Sequence, residues 1–232
     1  PPISSPDISV DHSQYGEVWI NDLRDQQDRD YHGFTAEELD HYFDDALFVG
    51  DSVANGLKLY TSMYEKVFQG MVFHTGACYG FHNALSAVTA SSMHPLYQGQ
   101  KRNIWQMVAL TNPNKVFIGF GLNDFGCVTT GSVKKCLDKI IANIRAVKPD
   151  VEIILLSSTY FTKDGESYRP NLNDYRTCFR QRDYNHFVLE YCNAMGLDYI
   201  DVSNCFADDY GYLPKESSMD NYCHPQIKLY SV

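Results

Sequence analysis

The chain has 232 residues, which fits one large domain or one with an appendage; at this length roughly 70 to 75% of the unfolded surface is buried, so a core needs neither metal nor disulfide. Its charge, 19 Lys+Arg against 29 Asp+Glu or −10, argues against nucleic acid as the main partner, and 44% hydrophobic with 21% charged residues excludes a mainly disordered chain. No apolar run approaches the roughly 18 residues of a membrane span, and Pro1 to Val10 lack the basic and apolar regions of a signal peptide. The chain opens on proline rather than Met, so it is expected to be a mature or trimmed piece whose targeting signal would not be visible.

In chain order, residues 1 to about 33 read as a linker and an Asp-rich arm that lays Trp19 on the body, followed by one domain over 34–232. Thr35 and Glu38 form a capping box that opens a short helix through about Phe43. Ala46 to Gly50 then reads as a buried strand, with a helix from about Val53 to Tyr64. Met71 to Thr75 is a second strand, with a helix from about Phe81 to Ala90. Lys115 to Phe120 is a third, followed by an amphipathic helix from Ser132 to Val147 that carries Val133, Leu137, Ile140, Ile141 and Ile144 on one face. Val151 to Ser157 is a fourth; beyond a polar loop a helix runs from about Asn173 to Met195, ended by Gly196, and Tyr199 to Val202 is a fifth. Gln226 to Val232 looks like the start of a helix cut short. Short apolar strands alternating with helices predict a parallel sheet covered on both faces, with ligands at the carboxyl ends of its strands.

Three of those strand ends carry chemistry. After the first strand comes Gly50-Asp51-Ser52-Val53, which puts a serine at a helix N-terminus, where N–H groups and the helix dipole favour a nucleophile and its oxyanion. Alone the tripeptide is weak, since chance gives it to roughly one chain in fifteen of this length and Asp51 or Ser52 caps the helix just as well. After the third strand comes Gly121-Leu122-Asn123-Asp124, whose Asn123 amide can serve as an oxyanion donor or close an Asx turn. Near the C-terminus comes Asp220-Asn221-Tyr222-Cys223-His224-Pro225, where a carboxylate lies within one turn of a histidine. The order Ser, Asp, His is that of serine hydrolases on parallel sheets, although a G-x-S-x-G elbow is absent because position 54 is Ala.

Together these blocks resemble the SGNH (GDSL) hydrolase family over about four fifths of the chain, from Phe43 on. The resemblance implies a three-layer, flavodoxin-like α/β fold with a central five-stranded parallel sheet. It also implies a nucleophile Ser52, a base His224, and an oxyanion hole made by the Ser52 N–H, Asn123 and a glycine. Within Thr75 to Gly80 either Gly76 or Gly80 fits the glycine block, and Gly76 is preferred for lying directly after the strand. One departure stands out. The position three before His224 is Asn221, and the carboxylate sits one residue earlier at Asp220. Either the turn carries an extra residue and Asp220 completes a triad, or the site is a dyad.

Such a family implies an esterase that removes short acyl groups, most simply acetyl, from a small-molecule or glycan ester, with no cofactor and no metal. An acyltransferase of the same fold and a non-catalytic flavodoxin-like binding module are the alternatives, along with a thiol enzyme built on Cys223 or Cys78. The seven cysteines never fall as C-x-x-C, which argues against a zinc site, and their odd number leaves at least one unpaired within the monomer.

Overall fold

Runs of apolar residues too short for helices can satisfy their backbone only by pairing, and five of them do so in one sheet. The computed structural model describes residues 35, 38, 41–63, 68, 70–124, 130–169 and 174–231. The expected N-terminal arm, with Trp19, lies outside them. Thr35 and Glu38 do exchange the capping bonds: the Thr35 N–H donates to Glu38 Oε2 (2.7 Å) and the Glu38 N–H to Thr35 Oγ1 (3.1 Å).

From there the elements are β1 (Ala46–Gly50), α1 (Ser52–Met63), β2 (Val72–Thr75), α2 (Phe81–Ala84), β3 (Leu96–Tyr97), β4 (Gln100–Lys101), α3 (Ile104–Thr111) and β5 (Lys115–Gly119). They continue as α4 (Thr130–Val147), β6 (Glu152–Leu156), β7 (Ser167–Arg169), β8 (Asp174–Arg176), α5 (Cys178–Met195) and β9 (Asp198–Ile200). A 3₁₀ segment over Ile227–Ser231 takes the place of the helix expected near the C-terminus. The central sheet is parallel throughout, in the order β2-β1-β5-β6-β9. Counting its strands alone, that is 2-1-3-4-5, the flavodoxin-like winding whose ligand crevice opens between the first and third strands, here β1 and β5.

Alternation along the strands divides the core. Leu47, Val49, Val116, Ile118, Ile153 and Leu155 face α2 to α5, while Ala46, Phe48, Phe117, Ile154 and Leu156 face α1. The stripe Val133, Leu137, Ile140, Ile141 and Ile144 on α4 is buried as its spacing predicts. Each such side chain contributes roughly 1.5 to 3 kcal/mol by leaving water. Helix layers on both faces give the three-layer α/β fold expected.

Four local expectations need correction. The second helix stops at Ala84 instead of Ala90, because the chain beyond it turns and is tied down by Lys101, whose Nζ donates to the carbonyls of Ala90 (2.8 Å) and Ser92. Helix α5 begins at Cys178 rather than Asn173, since Asp174–Arg176 is taken up by a hairpin with β7 and Thr177 caps the helix. Helix α3 is additional, closed by a reciprocal pair in which the Gln106 N–H donates to Asn103 Oδ1 and the Asn103 N–H to Gln106 Oε1. The fifth sheet strand is displaced slightly, to Asp198–Ile200.

Candidate active site

Register brings three loops to one edge. Gly50 pairs with Thr75 on one side and Gly119 on the other, so the chain after each residue emerges beside the crevice between β1 and β5. Position 50 has to be glycine for space: a Cβ there would lie 2.3 Å from Ala54 Cβ and 2.9 Å from the Gly119 carbonyl, pushing α1 off the strand it follows.

Asp51 is the cap of α1, buried, with Oδ1 accepting from the Val53 N–H at 2.9 Å. Burial pushes its carboxyl up to about 7, against the N–H bonds from Val53 and Ala54 that pull it down. With Asp51 as the cap, Ser52 becomes the first helical residue and its hydroxyl is free for other work. Its Oγ lies 2.8 Å from His224 Nε2, and His224 Nδ1 lies 2.5 Å from Asp220 Oδ2. The structure therefore brings Ser52, His224 and Asp220 into one continuous relay.

The turn that holds the histidine explains the unusual spacing. Asn221 adopts the left-handed region, φ 54°, a conformation asparagine tolerates better than most residues. That extra residue swings Asp220 back over its own turn, where Oδ1 accepts from the N–H groups of Tyr222 (2.9 Å), Cys223 (3.2 Å) and His224 (3.3 Å) and from Ser218 Oγ (3.0 Å). Burial pushes the Asp220 carboxyl up, but the hydrogen bonds from the His224 side chain and from the His224 and Tyr222 N–H groups outweigh it and hold the group at about 2. Thr162, on the loop after β6, fastens the turn: its Oγ1 donates to the Asn221 carbonyl (2.9 Å) and its N–H to that of Tyr222 (2.7 Å).

Asn123 lies four residues beyond Gly119, its Nδ2 donating to the Tyr79 carbonyl at 3.0 Å. One amide hydrogen thus holds the loop after β2, and the second makes no bond among the described residues. The glycines of that loop are more constrained than expected. The Gly76 N–H donates to the Gly50 carbonyl at 3.2 Å, because the β1–β2 ladder runs on one residue past the strand, and the Gly80 N–H donates to Asn83 Oδ1 at 2.9 Å. Neither presents an idle donor in this structure.

Sequence reasoning passed over Asp124, whose signal lay in the Asn-Asp pair itself. Its buried carboxylate accepts from the N–H groups of Phe81 (3.1 Å) and His82 (3.4 Å), closing the start of α2 onto the loop after β5. Burial pushes this carboxyl up to about 6 against those two bonds. A cavity of about 270 Å³ adjoins Asp51 and Val53, on either side of Ser52, and is lined further by Phe48, Phe117, Phe206 and Tyr230 among others.

Such a relay can deprotonate a hydroxyl and return the proton to a leaving group. Comparison with known proteins bears on what it belongs to. Residues 48–231 match the GDSL-like lipase/acylhydrolase family. The chain is similar in structure to a GDSL-like lipase from Bacteroides thetaiotaomicron VPI-5482, with 15% identity, 80% of this chain and 81% of that one covered, and a TM-score of 0.54. It is also similar to a candidate platelet activating factor from Streptococcus pneumonia (19% identity, 84% and 87% covered, TM-score 0.56) and to a candidate acylhydrolase from Bacteroides fragilis NCTC 9343 (12%, 88% and 92%, 0.53). At these identities the structural likeness speaks to the fold. No curated protein sequence matches the chain.

Proposed function

This chain belongs to the GDSL-like lipase/acylhydrolase family, and from that we propose that it is a serine esterase that removes short acyl groups, acetyl first among them, from a carbohydrate or other hydroxylated substrate. The observation that carries the reading is the unbroken contact from Ser52 Oγ through His224 to Asp220. In this mechanism His224 Nε2 takes the Ser52 proton as Oγ attacks the ester carbonyl, and Asp220 stabilises the imidazolium that forms. The oxyanion is held by the Ser52 N–H at the start of α1 and by the second Nδ2 hydrogen of Asn123. His224 then protonates the departing alcohol, and water, deprotonated by the same imidazole, releases the acyl group.

A panel of aryl esters of increasing chain length, run beside acetylated sugars, tests the reading together with a fluorophosphonate probe. Acetyl esters are expected to turn over fastest and the probe to label Ser52. Faster turnover of long-chain esters would overturn the substrate class, and labelling elsewhere the nucleophile. Transfer of the acyl group to an added alcohol in preference to water would make the protein an acyltransferase. The thiol reading is disfavoured by the structure: Cys223 does approach His224, Sγ to Nδ1 3.8 Å, but burial pushes its thiol far up and keeps it protonated.

Asn123→Ala is expected to lower kcat by about 10² to 10³ with little change in KM, as for a donor that acts on the transition state. Steady-state kinetics on an aryl acetate check it. A raised KM at constant kcat would reassign Asn123 to substrate binding, or to holding the Tyr79 carbonyl.

A further inference from the structure

The turn that serves the relay also carries Cys223, which the reaction leaves unused, beside Asp220 and His224, which it employs. Asp220, Cys223 and His224 each offer one metal-ligating atom, and the three atoms lie within 4.8 Å of one another. We propose that Asp220 Oδ2, Cys223 Sγ and His224 Nδ1 form a capture site for a borderline or soft divalent cation such as Zn²⁺, and that its filling switches the enzyme off. The inhibition half of this proposal rests on the assigned role of His224; the binding half does not.

Geometry and donor chemistry both favour it. With bonds of about 2.3 Å to sulfur and 2.0 to 2.2 Å to nitrogen and oxygen, the edges of a tetrahedral zinc site are about 3.3 to 3.6 Å long. Sγ and Nδ1 already stand 3.8 Å apart. The 2.5 Å contact between Nδ1 and Oδ2 has to open by somewhat under about 1 Å, while the carboxylate and Sγ, within 4.8 Å of one another, draw in toward the ion. The left-handed Asn221 fixes this arrangement, since it returns Asp220 to the side of the turn that carries Cys223 and His224. Access is given by the histidine and aspartate, whose side chains are 30% and 37% exposed, while Cys223 is buried beneath them. One nitrogen, one oxygen and one sulfur select Zn²⁺, Co²⁺ or Cd²⁺ and discriminate against Mg²⁺ and Ca²⁺, which take oxygen alone.

The protons account for the loss of activity. In the working relay Nδ1 carries a proton toward Asp220 and Nε2 accepts from Ser52. A metal bonded to Nδ1 needs that lone pair, so the proton moves to Nε2, which then has nothing with which to accept the serine hydrogen. The Cys223 thiol loses its proton to solvent as the metal–sulfur bond forms. No electrons are exchanged, and a chelator reverses every step.

The test uses the whole chain with the exposed Cys78 replaced by Ser, so that it adds no thiolate signal. Co²⁺ titration is expected to produce a near-ultraviolet thiolate charge-transfer band that disappears in Cys223→Ser and in Cys223→Ala. Zn²⁺ is expected to stop aryl acetate hydrolysis, a chelator to restore it, and Mg²⁺ at the same concentration to do nothing. Both Cys223 variants should keep basal activity and need at least about tenfold more Zn²⁺ for the same inhibition. The absence of any thiolate band in the parent protein overturns the site whether or not the variants fold, and so does an unchanged Zn²⁺ response in a folded variant. A band that depends on Cys223 in a protein that hydrolyses no ester would uphold the site and refute the esterase instead.

Discussion

Ser52→Ala is expected to leave the fold intact and to abolish hydrolysis of an aryl acetate. The fold should survive because Asp51, not Ser52, caps α1, and alanine is the best residue for the helical position that Ser52 occupies. Stability should therefore change by no more than about 0.5 kcal/mol, measured as an unchanged thermal midpoint within a few degrees. The rate should fall by several orders of magnitude, because without Oγ there is no acyl enzyme and His224 Nε2 has lost the atom it contacts at 2.8 Å. A variant within tenfold of the parent would show that the reaction does not pass through Ser52.

The second large effect belongs to Asp220→Asn, for which kcat is expected to fall by up to about 10⁴ with the structure preserved. The amide oxygen can still accept from Ser218, Tyr222, Cys223 and His224 as Oδ1 does now, so the turn keeps its bonds. What changes is the other atom: an Nδ2 facing His224 Nδ1 is a donor, which drives the imidazole proton onto Nε2 and removes the base. Asn221→Ala is the control. It keeps the carboxylate and loses roughly 1 to 2 kcal/mol of stability from a side chain forced to positive φ, with a far smaller effect on kcat. If Asp220→Asn were silent and Asn221→Ala inactive, the pair would be a Ser-His dyad and the carboxylate assignment would fall. The same substitution has a signature in acid. With a folded pKa of about 2 against an unfolded value of about 4, Asp220 stabilises the native state above the unfolded value, and that contribution is lost as pH falls through about 2. The Asn variant should accordingly lose less stability over that window, as read by denaturant titrations from pH 5 to 2.

How much of this was legible in the residues depended on how local each signal was. The five strands and α4 announce themselves because burial on one or both faces is written in the spacing of Val, Ile, Leu and Phe. The winding order follows from alternation of strand and helix, and with it the crevice beside which the loops carrying Ser52 and Asn123 emerge. Helix α3 had a readable start, Asn103 with Gln106 three residues on, but its eight residues are too few for a clear period. The β7–β8 hairpin was invisible, since strands of three residues carry no pattern and exist only by pairing. At the site, Asp220 was recoverable because charge alone separates it from Asn221. The engagement of the Gly76 N–H was not, because it depends on how far a ladder runs, which is a property of two strands and not of one loop.

The Asp124 clamp has a consequence for how such sequences change over time. Its carboxylate reaches the Phe81 and His82 N–H groups only because position 80 has no side chain: a Cβ there would sit 2.6 Å from Asp124 Oδ2. Two loops more than forty residues apart are thereby locked into one another's histories. A lineage that acquires a side chain at position 80 must first shorten or lose the acid at 124, and one that loses the acid releases the glycine. Positions 80 and 124 should drift as a pair, at a pace set by the rarer of the two changes and independent of whatever ester the enzyme takes.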